Sequence, residues 1–297
     1  MNDNDDIWPA IEQALRTALG ESFRLGEAQP VSGASMDRAY RVTTTGGTLF
    51  LKIGRPEREA DFAAEAAGLR ELGQAHGLRV PGVLARGRAG PAAFLAIEHL
   101  PLRPLDAEAM TALGEGLAEL HGIAAPRFGW DRDNSIGTTP QRNARTGQWL
   151  EFWRENRLGY QLELAAERGN RELARAGDRL LATLPDLLAG HRPEASLLHG
   201  DLWGGNAAMD DAGRPVIFDP AVYYGDRETD LAMTELFGGF SPLFFEAYHG
   251  AWPLEAGYRE IRRDLYQLYH LLNHDALFGG HYAAESQRVI ERLLAKG

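Results

Sequence analysis

The sequence predicts an α+β protein with two lobes, in which a small antiparallel sheet with one helix precedes a larger, mainly helical region. Three observations favour this fold class. Runs rich in β-formers gather in the first hundred residues, helical spacing dominates afterwards, and one group of short strands interrupts the helical part. The chain has 297 residues, which suits roughly two units of about 150. We place the lobes at residues 1–99 and 100–297.

A β-hairpin is the clearest element of the N-terminal lobe. Residues 40–45 and 48–53 are β-rich runs, and the glycine pair between them is typical of a tight hairpin. Side chains alternate along a strand, so Phe50 and Lys52 point to one face and Leu51 to the other. Lys52 is therefore predicted to lie on a strand, beside Phe50 and on the face opposite Leu49, Leu51 and Ile53.

A helix follows the hairpin and begins at Pro56, a residue that suits the first turn. Its apolar residues recur at spacings of three and four, which predicts one buried face: Phe62, Ala66, Leu69 and Leu72. Short strands are predicted at 83–85 and 92–97, and residues 98–101 read as a linker between the lobes.

The C-terminal lobe carries helical spacing in six segments, which are 107–121, 149–167, 171–188, 229–237, 258–278 and 284–296. Short strands interrupt them at 196–199, 207–209 and 215–218. This interruption holds the most unusual residues of the chain.

The overall composition excludes several classes of function. Lys and Arg number 31 against 42 Asp and Glu, and a net charge of −11 disfavours a nucleic-acid partner. No charge-free stretch approaches the ~18 apolar residues of a membrane helix, and the start MNDNDD lacks a basic leader. We expect a soluble, cytoplasmic protein with no membrane partner. The absence of cysteine excludes disulfides and thiolate chemistry.

Residues 198–206 read LHGDLWGGN and form a polar, Gly-containing loop. Asp201 and Asn206 lie five apart in it, and Asp219 ends the strand that returns from the next hairpin. In phosphoryl transfer, an Asp so placed accepts the proton of the attacking hydroxyl, while the Asn and the later Asp hold Mg²⁺ through oxygen atoms. Taken alone, these residue types are typical of turns and strand ends. Their order and spacing together favour catalysis.

Lys52 and Glu65 extend this pattern into the first lobe. Lys52 is predicted to bind the α- and β-phosphates of ATP, and Glu65, on the following helix, is its predicted ion-pair partner. The alternative is a solubilising edge-strand lysine and a solvated helix face, where Glu59 and Glu71 would serve equally well.

The turn that covers the phosphates is a weak motif, because residues 31–36 read VSGASM where protein kinases have G-x-G-x-x-G. We nonetheless predict that Ser32, Gly33, Ala34 and Ser35 present backbone N–H groups to phosphate.

Several polar residues have structural alternatives. His199 is predicted to be a buried scaffold residue in preference to a proton carrier. Asp230 is predicted to be structural, because an acid at the start of a helix interacts favourably with the helix dipole. Trp203 either stacks on a substrate or fills space. One face of a late helix either lines a pocket or packs in the core, and it carries Tyr266, His270, Asn273, His274 and Leu277.

These motifs resemble the fructosamine kinase (ketosamine 3-kinase) family, within the wider aminoglycoside phosphotransferase and choline kinase-like group. The family reads LHGDLWSGN, or close to it, where this chain has residues 198–206. The similarity continues through the Asp-Pro-Ala at 219–221 and the Phe-Gly-Gly-Phe at 237–240, and it covers the chain from about Val31 to the C-terminal helices. This chain differs from the family at residues 143–148, on the approach to the acceptor site.

The resemblance implies a protein-kinase-like bilobal fold, with ATP between the lobes and adenine bound to the backbone near Glu98, His99 and Leu100. It implies the roles of five further residues: Asp201 as base, Asn206 and Asp219 as ligands of Mg²⁺, and Lys52 and Glu65 as residues that position ATP.

The implied substrate is a small-molecule ketosamine or a glycated protein lysine, phosphorylated at its 3-hydroxyl. The ester decomposes and releases the amine, so the implied process is deglycation repair. Trp203, Asn273 and His274 are the candidates for substrate contact, and we expect a monomer or a weak homodimer. Some relatives link subunits through a cysteine, which this chain lacks.

Three alternatives remain open. An aminoglycoside- or choline-type kinase shares the HGDxxxxN motif. A nucleotide-binding pseudokinase or adaptor is a different class, although such proteins typically lose the base, the metal ligands or the clamp. A metal-dependent hydrolase would use His199, Asp201 and Asp219 as ligands, but it leaves Lys52 and Glu65 unexplained.

Overall fold

The computed structural model describes residues 7–31 and 38–297, and its N-terminal part is built on a five-stranded antiparallel sheet. The strand order is β1-β2-β3-β5-β4. Thr44 pairs with Gly47 across the predicted hairpin turn, where Gly47 has a φ of 123° that favours glycine. The strands are β1 (Leu25–Pro30), β2 (Arg38–Thr44), β3 (Gly47–Gly54), β4 (Val83–Ala89) and β5 (Ala92–Glu98).

A helix covers each face of this sheet, so our prediction of one helix in the N-terminal lobe is wrong. Helix α1 (Ile7–Leu19) precedes the sheet, and α2 (Glu59–Leu72) follows it after a 3₁₀ turn at Pro56–Arg58. Ile7, Ile11 and Leu15 recur every four residues on α1 and are buried against the sheet. That spacing is readable in the sequence, where it directly follows the polar start MNDNDD.

Strand alternation decides which face each side chain of β3 meets. Leu49, Leu51 and Ile53 are buried with α1 in one apolar cluster. Phe50 packs on the opposite face, against the larger cluster that includes α2. Lys52 shares the side of Phe50, as the alternation predicts, and so it faces α2.

The C-terminal region is mainly helical, and most helix bounds lie within two residues of those predicted. The helix predicted at 149–167 has the correct bounds but is not a regular α-helix, because a π-helical segment (Trp153–Gly159) joins α4 to α5. A second π-helical segment (Tyr258–Arg262) precedes α9. The helices are α3 (Ala107–His121), α4 (Trp149–Phe152), α5 (Tyr160–Glu167), α6 (Arg171–Leu187), α7 (Glu228–Leu236), α8 (Pro242–Ala251), α9 (Arg263–Phe278) and α10 (Tyr282–Leu294).

Short antiparallel strands lie among these helices and carry the polar loop. A three-stranded sheet has the order β12-β9-β6, and the pairs β10-β11 and β7-β8 form separate ribbons. The three strands predicted here are present as β9 to β11, whereas the others were not predicted. Their bounds are β6 (Ala124–Ala125), β7 (Asn134–Ile136), β8 (Thr139–Gln141), β9 (Ala195–Leu198), β10 (Ala207–Met209), β11 (Pro215–Ile217) and β12 (Tyr223–Gly225).

Helix α2 is attached to the C-terminal region by hydrogen bonds and by close packing. The hydroxyl of Tyr224 donates to Glu71 Oε1 at 2.7 Å, and Ser135 Oγ donates to Asp61 Oδ1 at 2.7 Å. At Gly68 a Cβ atom would lie 3.1 Å from Val222, so the helix packs closely there. These contacts fix the helix that carries Glu65 relative to the polar loop.

Among the described residues, none of the helices combines the length and the apolar character that a membrane crossing requires.

Candidate active site

The polar loop begins where β9 ends and passes through a turn that requires glycine. Gly200 has a φ of 82°, and a Cβ atom there would lie 2.0 Å from the carbonyl oxygen of Ala221. Only glycine fits so close an approach of two backbones. The N–H of Ala221 donates to the carbonyl of His199 at 2.9 Å, which joins the start of the loop to the segment after Asp219.

The buried carboxylate of Asp230 fixes this turn through hydrogen bonds. Asp230, on α7, accepts hydrogen bonds from the backbone N–H of His199 at 2.7 Å and of Gly200 at 2.9 Å. His121 Nε2 lies 3.2 Å from the same carboxylate. Burial opposes its charge, but His121, His199 and the backbone donors keep the pKa of Asp230 below its ordinary value. The sequence correctly indicated a structural role for Asp230. Besides its place at a helix start, Asp230 binds the backbone of the polar loop.

His199 acts as a scaffold residue, as the sequence favoured. Its Nε2 donates to the carbonyl of Phe218 at 3.0 Å, and its Nδ1 accepts the N–H of Asp201 at 3.3 Å. The side chain is fully buried, and this burial lowers its pKa. Since both ring nitrogens are bonded to backbone, His199 has no free atom for a metal or a substrate proton.

Lys52 joins the two parts of the site. Its Nζ atom donates to Glu65 Oε1 at 2.7 Å and to Asp219 Oδ1 at 2.7 Å. Burial disfavours the ammonium charge, but the two carboxylates outweigh it and raise the pKa of Lys52 above its ordinary value. The acids named as alternatives on the same helix have other contacts, since Glu59 pairs with Arg88 and Glu71 accepts from Tyr224.

Asp219 holds a backbone conformation that side chains rarely adopt. It is the one non-glycine residue with a positive φ, 55°, in the described part of the chain. Such a conformation costs roughly 1–3 kcal/mol and is kept where the surroundings demand it, often at functional sites. Its side chain is 45% exposed, so the carboxylate is open to solvent on the side away from Lys52.

The side chain of Asn206 contacts both Asp201 and the backbone of Asp219. Its Nδ2 donates to the backbone carbonyl of Asp201 at 2.9 Å and lies 3.4 Å from the Asp201 carboxylate. Within residues 7–31 and 38–297, nothing donates to Asn206 Oδ1, which leaves this oxygen available. An amide oxygen beside an open carboxylate oxygen suits Mg²⁺, which prefers hard oxygen ligands.

Asp201 has an unusual protonation equilibrium. Burial, together with the negative charges of Asp219 and Asp230, raises its pKa from 3.8 to about 7, and the hydrogen bond from Asn206 opposes that shift only in part. A carboxylate with such a pKa is suited to accept a proton near neutral pH.

The predicted nucleotide-contact residues lie partly outside the described chain. Ser32, Gly33, Ala34 and Ser35 fall within residues 32–37, which the structure does not describe. Glu98 ends β5, and its carboxylate pairs with Arg79 and accepts the N–H of Gly82 at 3.2 Å. His99 and Leu100 follow, half-buried, and burial together with Arg41 lowers the pKa of His99.

The three candidates for substrate contact differ in exposure. Trp203 is 41% exposed and folds over Gly205, where a Cβ atom would lie 2.3 Å from its ring. Asn273 is buried and accepts a long hydrogen bond, 3.4 Å, from Gln161. His274 is half-buried, and its ring centroid lies 4.6 Å from that of Phe237. Asn273 therefore lies in the core, whereas the other two reach the surface.

A separate polar cluster bears on the hydrolase alternative. In the described part of the chain, the group of acids and histidines close enough to share a metal ion is His191, Asp226 and Glu228, and it does not include His199, Asp201 or Asp219. Both oxygens of Glu228 accept from Arg262, at 2.5 and 2.9 Å, and Asp226 accepts from His191 at 2.6 Å. These side chains already satisfy one another as a buried ion-pair network.

Sequence and structure comparisons agree on one family. The family model described as fructosamine kinase matches residues 7–296. A protein of Vibrio cholerae named probable ketoamine kinase is 42% identical over 97% of this chain and 100% of its own length.

Solved structures give the same result for the fold. A crystal structure described as a putative fructosamine-3-kinase from Haemophilus somnus is 31% identical, with a TM-score of 0.88 over 97% of this chain and 98% of that one. A mutant of the aminoglycoside phosphotransferase APH(4)-Ia, solved with ADP and hygromycin B, has a TM-score of 0.65 at 17% identity, over 97% of this chain and 99% of that one. The predicted protein-kinase-like bilobal fold is confirmed.

Proposed function

This chain belongs to the fructosamine kinase family, and from that premise we propose that it is an ATP- and Mg²⁺-dependent kinase that phosphorylates the 3-hydroxyl of ketosamines. The observation that carries the proposal is the convergence of Lys52, Glu65 and Asp219 beside the loop that contains Asp201. It joins one cation of the sheet to Glu65 in its own lobe and to Asp219 in the other, as phosphoryl transfer requires.

Asp201 is the base in this proposal. Its carboxylate orients the acceptor hydroxyl and takes its proton as the oxygen attacks the γ-phosphorus of ATP, while the bond from that phosphorus to the bridging oxygen breaks and ADP leaves. The pKa of about 7 supports this role, since a base is most useful near the working pH. Asp230, through the backbone of residues 199 and 200, keeps the loop in position.

Lys52 and the metal ligands would neutralise the phosphates. Lys52 would transfer part of its bonding from Asp219 to the α- and β-phosphate oxygens, while Glu65 keeps it in place. Asn206 and Asp219 would hold Mg²⁺, because each offers a side-chain oxygen that accepts no hydrogen bond from the described residues, and Asn206 Nδ2 lies 3.5 Å from the backbone carbonyl of Asp219. When bound, the ion shields the negative charge of the phosphates.

The substrate assignment follows the family. The names of the relatives refer to ketoamines and fructosamine, and the loop reads LHGDLWGGN. Phosphorylation of the 3-hydroxyl would give an unstable ester that releases the amine, so we propose a deglycation role for free or protein-bound ketosamines.

The decisive experiment measures ADP release with a panel of acceptors. We expect turnover with fructosamine or ribulosamine derivatives, and none with choline or an aminoglycoside. Turnover of an aminoglycoside with inert ketosamines would replace this proposal by the aminoglycoside alternative. Ester hydrolysis that needs a metal but no ATP would favour the hydrolase.

A second experiment separates the kinase from a nucleotide-binding pseudokinase. Asp201→Asn should keep ATP binding and lower kcat by about 10²- to 10⁴-fold. Asp211→Asn is the matched control, since Asp211 lies on the β10-β11 hairpin and is 69% exposed. Unchanged turnover in the Asp201 variant would remove this residue from the base role.

A further inference from the structure

Four aromatic residues form a patch at the surface of the C-terminal lobe. Three of the rings surround the fourth, that of His274, with centroid distances of 4.6 Å to Phe237, 5.5 Å to Phe278 and 5.1 Å to Tyr282. Phe237 is 38% exposed and Phe278 is 65% exposed. Grouped exposed aromatic side chains mark binding surfaces more often than single ones do. We call these four residues the aromatic patch.

The segment that directly follows Phe237 of the aromatic patch contacts the loop that carries Asp201. A Cβ atom on Gly204 would lie 3.2 Å from the carbonyl oxygen of Gly238 and 3.2 Å from Cα of Gly239. The two backbones are therefore in contact just after Trp203 on one side and Phe237 on the other. Trp203 is itself 41% exposed, so a molecule that reaches Asp201 has aromatic surface beside it.

His274 makes the aromatic patch uncharged and gives it one hydrogen-bond acceptor. Its Nδ1 lies 2.9 Å from the carbonyl oxygen of His270, which can only accept, so Nδ1 carries the proton. Burial lowers the pKa of His274, which keeps the ring neutral near pH 7. The lone pair is then on Nε2, and no donor among the described residues reaches it.

We propose that the aromatic patch binds the amine-side substituent of the ketoamine, that is, the group that the sugar was attached to. This inference rests on the proposed function. The sugar is a polyol and needs several polar partners, of which the aromatic patch offers only Nε2 of His274 and the hydroxyl of Tyr282. An aliphatic or aromatic substituent suits the exposed rings, among them the uncharged imidazole of His274. Ketoamines of large apolar amines are therefore the preferred substrates.

The test compares two acceptors with the same sugar, fructosyl-phenylalanine and fructosyl-glycine. For the wild-type protein we expect the KM of the phenylalanine derivative to be lower. Phe278→Ala should raise that KM about five- to tenfold, because part of an aromatic contact is lost, and leave the KM of fructosyl-glycine within about twofold. His274→Asn, which can still donate to the carbonyl of His270, should act in the same direction.

Leu84→Ala is the matched control, because Leu84 is a similarly exposed apolar residue on β4. It should change neither KM. Equal KM values for both acceptors in the wild type, or variants that shift both acceptors alike, would overturn the inference and leave the proposed function intact. No turnover of either acceptor by the wild type would overturn the proposed function and the inference together.

Discussion

The ammonium of Lys52 lies 2.7 Å from the carboxylate of Asp219, a residue 167 positions later in the chain. The same ammonium lies 2.7 Å from Glu65. One cation thus pairs with two acids from different parts of the fold. Without bound nucleotide, this contact keeps Lys52 and Asp219 at the place where phosphate and metal would meet in the proposed reaction.

The first prediction concerns removal of that cation. Lys52→Met should lower kcat/KM for ATP by about 100-fold or more, because phosphate loses its charged partner. It should also destabilise the fold by about 2 kcal/mol, since Glu65, 15% exposed, loses its counter-charge. Steady-state kinetics and urea unfolding measure both effects.

Arg88→Met provides the control for that variant. Arg88 pairs with Glu59 in the same lobe, but their side chains are 60% and 41% exposed. Exposed pairs contribute little, so the change in unfolding free energy should stay below about 1 kcal/mol. If both variants behave alike, the position of Lys52 has no special importance.

The second prediction concerns metal binding. Asp219→Asn should raise the Mg²⁺ concentration needed for half-maximal ATP binding at least about tenfold, because a neutral amide replaces a charged oxygen ligand. Calorimetric titration of ATP at several Mg²⁺ concentrations measures the shift. Asp211→Asn, on the neighbouring hairpin, should leave it unchanged, and an unaltered Mg²⁺ requirement in the Asp219 variant would exclude Asp219 as a ligand.

Local signals in the sequence account for the elements that were predicted correctly. The glycine pair at 46–47, the alternation around Lys52 and the periodicity of 107–121 each depend on neighbouring residues, so they are readable without the fold. The π-helical segment at 153–159 has no comparable signal, because the extra residue in its turn depends on how the helix packs. Strand β12, three residues long and fully buried, also lacks alternation.

The candidate site shows the same division. The order of Lys52, Glu65, Asp201, Asn206 and Asp219 was sufficient to group them, since a motif of known spacing carries its own geometry. The partners of Asp230 were not predictable in this way. His121 lies 109 positions earlier in the chain, and its approach depends on the packing of α3 against α8 and β9.

The third prediction tests that support. Asp230→Asn should destabilise the protein by about 2–3 kcal/mol, because an amide cannot accept from both His199 N–H and Gly200 N–H without turning its own N–H₂ toward a donor. Turnover should fall as the loop is displaced. The matched control is Glu235→Gln, a partly exposed acid on the same helix, which should cost less than about 1 kcal/mol. A stable, fully active Asp230 variant would show that the loop keeps its conformation without the Asp230 carboxylate.

The last prediction follows from the protonation of Asp201 in the protein without nucleotide or metal. The pKa of Asp201 is raised from 3.8 to about 7, so the folded state binds a proton that the unfolded state has lost between these values. The free energy of unfolding therefore decreases as pH rises through this window. Above pH 7 the decrease caused by the buried carboxylate is complete.

Asp201→Asn removes this cost, because an amide does not ionise. We expect the variant to be more stable than the wild type by about 1–2 kcal/mol at pH 8, a figure reduced for partial solvent access, and the difference to disappear as pH falls toward 4. Urea unfolding of both proteins across this range measures it, with Asp211→Asn as the exposed control. If the variant and the wild type were equally stable at each pH, Asp201 would have an ordinary pKa in the folded protein. The bound metal nucleotide would then have to activate it as a base.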